Sequence, residues 1–226
     1  MGKNKSCGRV AKSGLKQHLS ANEILVKIAE VKKLPRKFFE QPTLSVARKI
    51  LGCELHFRNC AGIINEVEAY IGCADPACHA ARGRTARNAV MWGKAGVAYV
   101  YFTYGMHFCL NFTTECEGFP AAILIRGVAA TRGTAAMRRR RQRGPRLKKI
   151  PRKNGVTEKN LANGPSKLCE AFGIDLRQNG LDLCARNSEM FVTARQFEPD
   201  CEAAPRIGIS AGQEKLWRFV SKNLQN

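Results

Sequence analysis

Residues 99–112 read Tyr-Val-Tyr-Phe-Thr-Tyr-Gly-Met-His-Phe-Cys-Leu-Asn-Phe, with aromatic and aliphatic side chains on both sides of a single glycine. Such residues suit a pleated, half-buried surface, and Gly105 supplies the positive φ of a tight reversal. The segment therefore predicts a β-hairpin over 98–113 with its tip at Tyr104-Gly105-Met106. A hairpin alone is marginal in water and needs further strands and a packed face. Residues 60–71 supply one strand, with Ile63, Val67, Ala69 and Ile71 on one parity and Glu66, Glu68 and Tyr70 on the other. Residues 121–126 supply another. Helices are predicted over 42–52, where Leu44, Ala47, Ile50 and Leu51 share a face and Gly52 stops the run, and over 166–172 after Gly164-Pro165. A polar loop rich in Gly, Arg and Asn covers 72–88, the C-terminal part alternates short strands and turns, and no repeat is visible.

A chain of 226 residues has room for one sizeable core. Its charge is unbalanced: 38 Lys plus Arg against 18 Asp plus Glu give +20, which points to a polyanionic partner, nucleic acid or an anionic membrane surface. Residues 131–153 hold eleven Lys or Arg and no acid, including all four of 138–141. A block so charged is expected to stay out of the core as a solvated helix end or mobile loop. Residues 1–33 are expected to form a flexible basic arm, with a short helix near 21–31, and 34–226 the folded domain. The opening Met1-Gly2-Lys3-Asn4-Lys5-Ser6 fits the N-myristoylation pattern, but a Lys-rich arm tracking phosphates accounts for the same residues. No apolar run approaches the ~18 residues that cross a bilayer, and the first thirty residues lack the apolar stretch of a secretory signal. An intracellular protein is expected, in the cytoplasm or nucleoid of a bacterium or the nucleus of a eukaryote. Ten cysteines are then reduced. None is spaced Cys-x-x-Cys, and Cys73, Cys78 and His79 lack zinc-site spacing, so neither metal nor other cofactor is expected.

Glu66 and Glu68 stand two apart on a predicted strand and project from one face about 7 Å apart. Carboxylates beside a tyrosine serve as the acid and base of a hydrolase or form an exposed polar face. Tyr104, before the turn glycine, is either a solvent-facing tyrosine or a wedge between stacked bases. Taken together, a cationic surface, a plug for vacated space, aromatic walls and a carboxylate to activate water are what an enzyme needs to withdraw a base from duplex DNA.

Several gapped motifs follow one another in order: Glu66-Val67-Glu68-Ala69-Tyr70-Ile71-Gly72, Asp75-Pro76-Ala77-Cys78-His79, Thr85-Ala86-Arg87-Asn88 and Tyr99 through Met106, then Asn111, Leu124-Ile125-Arg126 and Gly164-Pro165-Ser166-Lys167-Leu168-Cys169. Together they make the sequence resemble the alkyladenine (3-methyladenine) DNA glycosylases. The resemblance covers roughly residues 38 to 220. It implies hydrolysis of the N-glycosidic bond of damaged purines, with Glu68 rather than Glu66 as general base. Arg126 is implied to position the water and a phosphate, and the Ile207 carbonyl to hold the same water. Tyr70, His79 and Tyr101 are implied to wall the flipped base, where an alkylated, cationic purine over an aromatic face gains about 0.5–2 kcal/mol. Asn111 is implied to crowd the 2-amino group of normal guanine, and Tyr104 to intercalate. Lys167 receives no nucleophilic role, so no lyase step is expected. His107 and the tail after Lys222 depart from the family pattern.

The expected architecture is α+β: a single compact domain with a curved antiparallel sheet, a protruding β-hairpin and surrounding helices. The expected partner is double-stranded DNA containing damaged purines, with no membrane and a monomeric protein. A non-catalytic basic nucleic-acid-binding module and a small-molecule nucleosidase are the rival readings.

Overall fold

The computed structural model describes residues 32–143, 155–195 and 197–224. The helix expected at 21–31 and the myristoylation pattern lie outside them. In chain order the elements are α1 (Arg36–Phe39), α2 (Thr43–Ile50), β1 (Glu54–Phe57), β2 (Cys60–Ile71), β3 (Ala98–Thr103), β4 (His107–Thr113), β5 (Ala121–Arg132), α3 (Thr134–Arg143), α4 (Pro165–Phe172), β6 (Met190–Thr193), β7 (Glu202–Ala204) and β8 (Arg218–Val220). The strands form one sheet in the order β3-β4-β5-β2-β1-β6, with β8 pairing both β2 and β7. All pairings are antiparallel, and the curled sheet with its helices makes the fold α+β.

Helix boundaries follow local chemistry. In α2, Val46, Ala47 and Ile50 are buried, with Leu44 only partly so, and the chain leaves through Gly52 at φ +80°. Helix α4 has Pro165 at its first turn, where a missing N–H costs nothing, and ends at Gly173 in the left-handed conformation, whose N–H returns to the Cys169 carbonyl. Both helices pack on one face of the sheet. There Val46, Ile50, Leu168 and Phe172 meet Val67, Ala69, Leu110, Phe112, Ile123 and Ile125 in the main core. Full burial of each large apolar side chain is worth about 1.5–3 kcal/mol. The opposite face is left for the site.

Strand β2 does not keep one parity throughout. Ile64 pairs with Val128 and Glu66 with Gly127, leaving Asn65 as an extra residue; Val67 then pairs with Ile125, leaving Arg126 extra on β5. The two irregularities cancel in register but flip the faces, so the core takes Ile64 and not the expected Ile63, then Val67 and Ala69. Asn65 fits because the residue beside it on β5 is glycine: a Cβ on Gly127 would come within 2.6 Å of Asn65 Oδ1. The side chain donates instead to the Leu224 carbonyl at 3.0 Å.

The arginine run departs from expectation. Residues 134–143 are helical, and Met137 and Arg141 are buried. Arg141 donates to the Leu161 carbonyl at 3.0 Å and pairs with Glu170 at 2.6 Å, while Arg140 donates to the Ala171 carbonyl at 2.8 Å. Long aliphatic stems pack while their guanidiniums find a carboxylate and carbonyls, so part of the run ties α3 to α4 rather than standing in solvent. Residues 144–154 of the expected basic loop lie outside the described residues. Among the described residues no helix is long and apolar enough to cross a membrane.

Candidate active site

Register builds the site floor. Glu68 pairs with Leu124, Leu124 with Asn111 and Asn111 with Tyr99, so one row crosses β2, β5, β4 and β3. The neighbouring same-face positions are Tyr70 and Ala122 on β2 and β5, and Cys109 and Tyr101 on β4 and β3. A cavity of about 490 Å³ opens on this face, within the usual range for ligand sites. Tyr70, His79, Tyr101, Tyr104, Asn111 and Arg126 all line it, together with Ile207 and Gly208. A larger cavity, about 660 Å³, lies between β4 and α4 and is lined by none of the predicted catalytic, base-binding or intercalating residues.

Glu68 itself is completely buried, directly behind the lining residues. Its Oε2 accepts the Tyr70 hydroxyl at 2.8 Å and its Oε1 the Ile207 N–H at 2.8 Å, while Arg126 Nη1 stands 3.2 Å from Oε1. Arg126 Nε donates to Glu66 at 2.8 Å, and Arg218 reaches the same Glu66 oxygen at 3.1 Å. The two glutamates are thus divided: Glu66 anchors two arginines, and Glu68 bonds Tyr70 and Ile207, which line the cavity. Burial, reinforced by the adjacent Glu68, pushes the Tyr70 hydroxyl upward and keeps it a donor; the two glutamates hold the Arg126 guanidinium charged although burial opposes it.

The opposite wall is aromatic. His79 Nδ1 lies 2.8 Å from the Tyr99 hydroxyl, and its ring meets Tyr101 edge-on at 4.5 Å. The His79 loop is pinned by buried Asn88, whose amide donates to the His79 and Gly83 carbonyls at 2.9 Å each. Desolvation among the tyrosines, then the Arg87 charge, holds the His79 pKa below its ordinary value, though the ring is partly open to solvent. Arg87 sits 5.1 Å over the Tyr101 ring and donates to the Phe102 carbonyl. Asn111 donates to the Tyr99 carbonyl at 3.0 Å. At the hairpin tip Tyr104 and Gly105 are both left-handed, φ +50° and +64°, and Tyr104 is 81% exposed.

Two partnerships are not visible in local sequence. Tyr99, fully buried and with its hydroxyl pushed up to about 12 by burial, orients His79; its parity with Tyr101 on the same strand was the available signal. Arg206 pairs with Asp75 across 131 positions, which no spacing reveals. Lys167 donates to Asn163 at 2.9 Å on the exposed start of α4. Among the described residues no group of three His, Cys, Asp or Glu forms a metal-binding cluster.

Comparison with known proteins gives the family. Residues 37–225 match the family described as methylpurine-DNA glycosylase. The chain is 49% identical over 193 residues to a protein of Wolbachia pipientis wMel named "Putative 3-methyladenine DNA glycosylase", covering 85% of this chain and 92% of that one. A protein of Rickettsia felis with the same name is 44% identical over 188 residues, 83% of this chain and 92% of its own.

Proposed function

The chain belongs to the methylpurine-DNA glycosylase family, and from that premise we propose that it removes damaged purines from duplex DNA by hydrolysis alone, with Glu68 as general base. It is a DNA glycosylase of alkylated-base repair, and DNA is its substrate. The observation that carries the mechanistic reading is the Glu68 carboxylate, buried behind an aromatic-walled cavity and held by Tyr70, Ile207 and Arg126. A carboxylate has about four lone-pair sites, so Oε2 can accept a water proton beside the Tyr70 bond. Water attacks the deoxyribose C1′ and gives its proton to Glu68; the N-glycosidic bond breaks and its electron pair leaves with the purine. The adjacent guanidinium of Arg126 orients the water and a neighbouring phosphate, and the Ile207 carbonyl accepts a hydrogen bond from the O–H that the water keeps and that becomes the C1′ hydroxyl.

Tyr70, His79 and Tyr101 enclose the extruded base, and Tyr104 fills the space it leaves. With the Tyr99 hydroxyl donating to His79 Nδ1, 2.8 Å away, Nε2–H would be left as a donor for an acceptor atom on the base edge. Asn111 crowds a 2-amino group. The protein acts as a monomer away from membranes, with Lys167 taking no covalent part. The test is turnover without added metal on duplexes holding 1,N6-ethenoadenine, hypoxanthine or 3-methyladenine. Free base should be released and the abasic strand should stay intact until treated with alkali. Cleavage of free nucleosides at a comparable rate would favour a nucleosidase, strand scission without alkali a lyase step, and binding without any base release a non-catalytic module.

A further inference from the structure

We infer that Arg206, locked in a buried ion pair with Asp75, is a positioning residue for the Glu68 carboxylate and the Tyr70 wall. Both side chains are wholly enclosed, and the fork is bidentate: Nη1 to Oδ2 at 2.6 Å and Nη2 to Oδ1 at 2.8 Å. The same Nη1 donates to the Ala69 carbonyl at 3.0 Å, on the main chain between Glu68 and Tyr70. Asp75 opens the segment that leads to His79 and also accepts the Ile71 and Ala77 N–H groups. The guanidinium lies 4.8 Å over the Tyr70 ring, so it covers one face and leaves the other to the cavity. The residue that follows, Ile207, carries the N–H that meets Glu68 Oε1.

One guanidinium therefore joins four parts of the site: the β2 main chain, the His79 loop, the Tyr70 ring and the donor to Glu68. Fold stability is a poor reason for such a pair, because buried ion pairs are often no better than apolar replacements of the same volume. The arrangement even leaves Arg206 Nε without a hydrogen-bond partner among the described residues. A rigid, planar fork fixes directions as well as distances, which a lysine cannot do. Misplacement of a catalytic group by about 1 Å can cost on the order of a hundredfold in rate.

The inference rests on Glu68 being the base, so three variants are measured together: Arg206→Lys, Ile207→Pro and Glu68→Gln. Arg206→Lys keeps a charge opposite Asp75 and so protects folding. Ile207→Pro deletes the N–H but keeps the carbonyl and the Arg206 side chain, on an exposed loop where φ is negative. For each, the single-turnover rate of 1,N6-ethenoadenine release is read per active enzyme, beside the Kd for the same duplex and the thermal midpoint. The first two variants should lose about 10- to 100-fold in rate with Kd changed less than about threefold. A merely structural role would lower the midpoint and the active fraction while leaving the rate of the active enzyme unchanged. Wild-type rates in Arg206→Lys or in Ile207→Pro, with Glu68→Gln inactive, overturn the role of Arg206 alone. Release by Glu68→Gln overturns the assignment of the base beneath it.

Discussion

Two parts of the same sheet treat their polar and aromatic groups in opposite ways. Around Glu68, charge is buried and satisfied locally: two carboxylates, two arginines, a tyrosine hydroxyl and a backbone N–H from β2, β5, β8 and the Ile207 loop are bonded to one another. At the hairpin tip, a tyrosine is held out with 81% of its surface exposed, in a left-handed conformation that only Gly and Asn adopt readily. The first region is fixed by the folded chain itself. The second is a strained, exposed aromatic that packing does not account for. Stability and activity should therefore separate between them.

The largest effect is expected at the buried end. Arg126→Met removes the cation shared by Glu66 and Glu68 and should cost about 3 kcal/mol of unfolding free energy, together with most excision activity. A shift of the urea midpoint checks it, and an unchanged midpoint would show that Arg218 alone balances the carboxylates. At the tip, Tyr104→Asn should stabilise the protein by about 1 kcal/mol, because Asn tolerates the left-handed turn, while excision from duplex falls about tenfold. The loss should be far smaller on a lesion already unstacked in a bulge; equal losses on both would break the contrast.

The smallest effect is a pH dependence outside both regions. His56 is buried against Phe191, with ring centroids 4.7 Å apart, and burial lowers its pKa from the ordinary 6.5, with Glu54 opposing and Arg132 assisting. Below 6.5 the unfolded chain binds the proton that the folded ring resists, so stability is complete above that value and is lost as pH falls beneath it. The urea midpoint should drop between pH 7.5 and pH 5, and His56→Gln should flatten part of that drop. An unaltered slope in the variant would assign the drop to other groups.

Much of this contrast was legible in the sequence because it is local. Gly105 between aromatic runs gave the hairpin and its tip, and the 60–71 alternation put Glu68 and Tyr70 on one face. What stayed hidden is set by tertiary packing. The extra residues Asn65 and Arg126 exchange the face that Ile63 and Ile64 present, and nothing in either strand's own pattern announces a paired irregularity. The burial of Arg141 depends on Glu170 and the Leu161 carbonyl, supplied by a segment about twenty residues away and by another helix. Composition alone assigned the whole run to solvent. Likewise the resemblance led to His79 and Tyr70, but the Tyr99 hydroxyl and the Asp75–Arg206 pair that hold them emerge only when the loops close on the sheet.

The central claim is that the enclosed carboxylate at position 68 acts on a base drawn into the cavity it backs. Its most direct test follows binding and base release in parallel on one labelled 1,N6-ethenoadenine duplex, comparing the native enzyme with Glu68→Gln. The account predicts affinity within about threefold of native and release slowed by two to four orders of magnitude, roughly the worth of a general base. Release at close to the native rate would contradict it.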